Sequence, residues 1–218
     1  MENTSYDIHN RMIRANTTQL LHKNAPHTGD RYVIVCFNKN LNYSKSNFHL
    51  RSANIMNQPT CETGYTATFD TPEVTHARDK LLVLLDNTKF PKDRCTNLKN
   101  SVVKPHSKYL GNAEFVSFGV TASRKSQIKR AMLGMYTRES SNYNNTKFAQ
   151  LYMAFQHYMD VFAPGKFGID GVYHAAIISK NSQCEWHVDK GNIGHASLSA
   201  LGSFEGGELM VQNSSIFF

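Results

Sequence analysis

The chain has 218 residues, with 24 Lys and Arg against 17 Asp and Glu, a net charge of +7 and only 19% charged residues. That length suits one domain, or one domain with an extended N-terminal region, and excludes a large multidomain enzyme. An apolar fraction of 40% with 11% aromatics excludes wholesale disorder, and no apolar run approaches the roughly 20 residues of a membrane-spanning helix.

Met1-Glu2-Asn3-Thr4-Ser5 has neither the basic nor the apolar region of a secretory signal, so a nuclear or cytoplasmic protein is expected, not a secreted one. Cys36, Cys61, Cys95 and Cys184 stand far apart. No Cys-x-x-Cys pair is present, which argues against a zinc knuckle or redox motif and for reduced thiols. The positive balance favours a polyanionic partner, because a basic surface attracts phosphate and steers its approach.

Residues 1–30 are polar and patternless, with a break at Pro26 and Gly29, and read as a loose arm or an irregular lead-in. Tyr32 to Phe37 reads as a strand. Residues 38–60 are rich in Asn and Ser, which favour turns. Lys80 to Asp86, with its run Leu81-Leu82-Val83-Leu84-Leu85, reads as a second buried strand. Residues 87–112 are again rich in turn formers, and Glu114 to Thr121 alternates as a strand. Ser123 is placed to cap a helix running to Met135, whose Arg124, Lys125, Lys129 and Arg130 form the densest basic cluster. A second helix is predicted from about Thr146 to Phe162. There Phe148, Leu151, Tyr152, Phe155, Met159 and Phe162 recur at three- and four-residue steps as a core-facing stripe. Strands are predicted at His174 to Ile178, Cys184 to Asp189, His195 to Leu201 and Glu208 to Gln212, with Gly206-Gly207 as a tight link. Helices followed by short strands predict an α+β fold, with helices packed on an antiparallel sheet or barrel.

The informative stretch is Trp186-His187-Val188-Asp189-Lys190-Gly191-Asn192. On a strand, His187 and Asp189 project from the same face. An imidazole and a carboxylate so placed can take two neighbouring positions on one metal. With a distant second His they make the facial triad of non-haem Fe(II) oxygenases, which leaves open positions for a 2-oxoacid and O₂. A His-x-Asp alone is a weak signal, more often a solvated or hydrogen-bonded pair than a ligand pair.

The surrounding pattern adds to it. After His187 and Asp189 come Asn192, a small-residue strand with Ser197, and Gly206-Gly207 before Leu209. This stretch resembles the 2-oxoglutarate- and Fe(II)-dependent dioxygenases, and most closely the TET/JBP branch, which oxidises the 5-methyl group of pyrimidine bases in nucleic acid. The match extends from about Phe115 to Val211. Residues 1–112 lie outside the resemblance and read as a polar N-terminal region with a few strands, of unknown function; over 113–218 the resemblance implies the N-terminal part of a dioxygenase domain, with helices packed on an incomplete double-stranded β-helix (jelly-roll) core. His187 and Asp189 would be iron ligands, and 2-oxoglutarate the co-substrate, with ascorbate left open as its replacement. Asn192 would hydrogen-bond the flipped base, a role its amide suits because it offers both donor and acceptor. A turn-stabilising role for Asn192 weighs equally. The partner expected is nucleic acid, DNA before RNA.

The family also needs a second histidine late in the fold and, after it, an arginine that pairs with the 2-oxoglutarate carboxylate through its planar fork. No His, Arg or Lys follows Val211. His195 and His174 are the substitutes at hand, neither at the family position. The expectation is therefore an incomplete jelly roll, truncated at its C-terminal side, with two of three metal ligands and no carboxylate clamp. A non-catalytic remnant with weak nucleic-acid binding is then the alternative to an active oxygenase. A protein side-chain hydroxylase of the same fold is the nearest rival within the enzyme class.

Overall fold

A computed structural model describes residues 3–39, 64–66, 70–90, 109–110, 114–122, 131–134, 146–168, 171–189 and 192–212. In chain order the strands are β1 (Asn3–Tyr6), β2 (Met12–Ala15), β3 (His22–Asn24), β4 (His27–Lys39), β5 (Gly64–Thr66), β6 (Tyr109–Leu110), β7 (Glu114–Ala122), β8 (Ala131–Gly134), β9 (Ala175–Lys180), β10 (Gln183–Cys184), β11 (Asn192–Gly206) and β12 (Leu209–Gln212). The helices are α1 (Pro72–Asp86) and α2 (Thr146–Phe162). The fold is α+β with mostly antiparallel sheets, and no barrel closes among the described residues.

The large sheet has the order β5-β2-β11-β4-β9-β7-β8, and a small one the order β1-β12-β3. Residues 3–30, read as a loose arm or an irregular lead-in, carry β1 to β3 and the start of β4. They alternate between the sheets: β1 and β3 pair with β12, while β2 and β4 pair with β11. The large sheet thus runs without a break across the boundary expected at residue 112. No local pattern marks these N-terminal strands, because their partners lie at the far end of the chain and pairing, not propensity, forms them.

Each face of the large sheet has its own core. On one side Ile34, Cys36, Val116, Phe118, Ala176 and Ile178 pack against the two helices. On the other side Ile13, Ala15, Val33, Ala196, Leu198 and Ala200 meet Leu209 and Val211 of the small sheet. Strand alternation sorts the two sets, since residues two apart share a face.

α2 has the bounds its periodicity predicts, with Leu151, Phe155 and Met159 fully buried. α1 corrects the strand expected over Lys80 to Asp86. Thr71 Oγ1 accepts from the Val74 amide at 3.2 Å, Pro72 begins the helix, and Val74, Ala77, Leu81 and Leu85 turn inward. The continuous run of leucines obscured this spacing. Burial of Leu81 and Leu85 contributes about 1.5–3 kcal/mol each, and Val83, on the opposite side, is 60% exposed. The helix expected from Ser123 to Met135 is also corrected in part. Ala131–Gly134 pairs antiparallel with Gly119 to Ala122, so ladder hydrogen bonds override local helix preference. The basic residues Arg124 to Arg130 lie outside the described residues.

His174, before β9, is partly buried, and its Nε2 has no hydrogen-bond partner among the described residues. Burial lowers its pKa. The unfolded chain therefore takes up a proton as pH falls below about 6.5 while folded His174 resists it. Its contribution to stability is complete above that pH and is lost as pH falls toward the folded value. Urea midpoints of metal-free protein between pH 7.5 and 5.5 should fall less steeply in His174→Gln than in wild type. Identical slopes would remove His174 from the acid response.

Candidate metal centre

Three donor residues come together where the small sheet meets the segment before β11. On β3, His22 and Asn24 face inward, opposite Val211 and Leu209 of β12. Beyond β3, the chain of residues 185–189 lies alongside. His22 and His187 exchange both backbone hydrogen bonds, each at 3.0 Å. This bridge sets the two imidazoles next to each other, with ring centroids 4.3 Å apart. The only tryptophan lies beside it, with Lys23 Nζ 5.0 Å from the Trp186 ring centroid. The continuous strand expected from Cys184 to Asp189 is replaced by the two-residue β10 and this single bridge.

Asp189 is held by its amide, which donates to Thr17 O at 2.8 Å. Its Oδ2 lies 3.9 Å from His22 Nε2 and its Oδ1 lies 3.7 Å from His187 Nε2. One ligand atom from each of the three residues lies within 4.8 Å of the others. All three side chains are largely shielded, with exposures of 5%, 12% and 14% for His22, His187 and Asp189.

The outer contacts suit a metal. His22 Nδ1 lies 3.0 Å from Leu20 O, and His187 Nδ1 lies 2.6 Å from Glu185 O. A carbonyl accepts only, so each Nδ1 carries the proton. In the neutral form each ring would then turn its Nε2 lone pair toward Asp189. This is the tautomer and orientation that metal-bound histidines take from a carbonyl partner. Two imidazoles and one carboxylate fit a divalent transition metal, and three protein ligands leave positions for other molecules.

His187 and Asp189 are thus brought together as expected. The third donor is neither His195, on β11, nor His174, and neither joins the group. It is His22, from the segment read as a loose arm. Asn192 begins β11, is partly buried and is backbone-paired with Lys39, three residues beyond Asp189.

A buried cation lies on the same inner side. Arg31, on β4, is completely buried. Its Nη2 donates to Gly207 O at 2.8 Å. With its amide oxygen turned inward, Asn24 accepts from Nη1 and Nη2 at 3.2 and 2.8 Å. Both partners are neutral, and Nε has none among the described residues. Burial lowers the Arg31 pKa to about 10, with Cys184 and Glu208 opposing the shift. Gly207 makes room for it. The residue has φ +76°, and a Cβ there would sit 2.9 Å from Arg31 Nε. Asn24, which holds the guanidinium, is two residues from His22 on one strand face, a separation of about 6.6 Å along β3.

A separate open depression of about 710 Å³, lined in part by Asp30, Tyr32, Asp79, Asp86 and Lys180, contains none of the three donors. No helix among the described residues is long and apolar enough to cross a membrane. Comparison with family models, with curated proteins and with solved structures gave no match.

Proposed function

We propose that this chain is an Fe(II)- and 2-oxoglutarate-dependent dioxygenase of the TET/JBP type that hydroxylates the methyl group of a pyrimidine base in nucleic acid. Its core is a jelly roll in which the last metal ligand and the carboxylate clamp enter from the N-terminal side. The observation that carries the reading is the convergence of His22 with His187 and Asp189. It supplies a candidate third donor, whose lack was one of the two grounds for the inactive-remnant alternative.

Each residue has a distinct task. His22, His187 and Asp189 hold the metal, and when bound, iron with a 2-oxoacid supplies the oxidising chemistry. Arg31 supports the co-substrate. A fully buried guanidinium whose hydrogen-bond partners are neutral is a costly group that an anion relieves, and its Nε–H is the donor left for a carboxylate oxygen. Asn24 and Gly207 hold the guanidinium in place. Asn192, just past the carboxylate ligand, presents its amide to the substrate base. The net charge of +7 favours a polyanionic substrate.

The test has two parts. Anaerobic Fe(II) titration should show one site. Aerobic incubation with 2-oxoglutarate and methylated DNA should yield succinate and oxidised base together. No Fe(II) binding by wild type would end the reading. Succinate formation with a one-oxygen mass gain on a peptide, and none on DNA or RNA, would transfer it to side-chain hydroxylation. Asn192→Ala should keep Fe(II) affinity and lose at least about tenfold in turnover of the methylated base, since a good base-edge contact contributes about 1–3 kcal/mol of discrimination. Unchanged turnover would return Asn192 to turn stabilisation.

A further inference from the structure

Residues Asn16 to Leu20 form a tight turn against the metal centre, with the Gln19 and Leu20 amides donating to Asn16 O at 3.1 and 2.9 Å. Two carbonyls of this turn hold two of the three donors. Thr17 O accepts from the Asp189 amide, and Leu20 O accepts from His22 Nδ1. The turn is therefore the outer support of the site.

Its side chains are paired among themselves, with one exception. Asn16 Nδ2 donates to Gln19 Oε1 at 2.8 Å, and Thr18 Oγ1 donates to Asn16 Oδ1 at 2.7 Å. Thr17 is 1% exposed, and its Oγ1 has no hydrogen-bond partner among the described residues. A fully buried hydroxyl left unpaired costs about 1–3 kcal/mol. Such a group in a native site points to a missing ion, water or ligand.

We propose that Thr17 is a positioning residue whose hydroxyl donates to the non-coordinating oxygen of Asp189 when the metal is bound. This rests on the proposed metal centre. The two Asp189 oxygens face the two imidazoles, Oδ1 toward His187 and Oδ2 toward His22. Coordination through one oxygen leaves the other as an acceptor of hydrogen bonds. Metal-bound carboxylates take such donors from the surrounding shell. Thr17 is the neighbour already joined to Asp189 by a backbone hydrogen bond, and its hydroxyl is uncommitted.

The prediction has opposite signs in the two states. Thr17→Val keeps the shape and removes the hydroxyl, so metal-free protein should be as thermally stable as wild type or more so. Its affinity for Fe(II) or Co(II) should fall about 10- to 100-fold, the usual effect of losing a shell partner. Thr17→Ser restores the hydroxyl without the methyl and should recover most of the affinity. Anaerobic metal titration and metal-free melting of the full chain read both. Wild-type affinity in Thr17→Val overturns the assignment. So does an equal loss in Thr17→Ser and Thr17→Val, which makes Thr17 a packing residue. Failure of wild type to bind metal instead removes the metal centre itself.

Discussion

His22→Ala is expected to abolish Fe(II) binding as completely as His187→Ala or Asp189→Ala, with a loss of at least about 100-fold in each case. A ligand change should exceed the 10- to 100-fold cost of an outer-shell change. The controls are His195→Ala and His174→Ala, which should stay within about threefold of wild type, as neither residue joins the donor group. The expectation is strict for His22, because its ring is already oriented to ligate, with Nδ1 on Leu20 O and Nε2 toward Asp189. Metal should also stabilise wild type. An ion binding only the folded chain at 100 times its dissociation constant adds about 2.7 kcal/mol. That gain should vanish in all three ligand variants. Retained affinity and retained stabilisation in His22→Ala would show that these residues do not form one centre.

Arg31→Met is expected to separate stability from co-substrate binding. The guanidinium is fully buried and its hydrogen-bond partners are neutral. Replacing a buried charge by an apolar chain of similar volume is often neutral or stabilising by about 1–4 kcal/mol. Against that, Asn24 loses its partner and Gly207 O its donor, at about 1–3 kcal/mol for each group left unsatisfied. The net change in unliganded stability should therefore be small. Affinity for 2-oxoglutarate should fall about 10- to 100-fold, because a charge-assisted hydrogen bond to the co-substrate disappears. Fe(II) affinity should be nearly unchanged. Thermal shifts with and without 2-oxoglutarate, and metal titration, check the three statements. Unaltered 2-oxoglutarate binding in Arg31→Met would place the co-substrate elsewhere.

Half of the candidate site was legible locally. His187 and Asp189 stand two residues apart, and Asn192 follows at a short fixed spacing, so strand alternation alone suggests a shared site. His22 was not legible in this way. It is paired with His187 by backbone hydrogen bonds across most of the chain length, and nothing near it has a readable period. One signal was present: His22 precedes Arg31 in the order that the resemblance expects of a late histidine and its arginine. It went unread because both stand at the N-terminal side, before the His-x-Asp pair.

The elements divide along the same line. α2 followed from its own sequence, since a three- and four-residue apolar rhythm needs no partner to be recognised. The strand order β9, β11, β12 was visible from short apolar runs and the Gly206-Gly207 link. α1 reads locally as a strand because five consecutive apolar residues carry no period, and Thr71 and Pro72 are the better guide. By itself the sequence determined the class of the fold, the core helix, and two donors on one local segment, all set by side-chain spacing along a single element. Only the tertiary structure decided that β1 to β4 complete both sheets, bring a third candidate donor to that segment and bury Arg31 against Asn24 and Gly207. Strand pairing between distant residues has no local signature, because its hydrogen bonds and its buried face exist only after the chain has returned on itself.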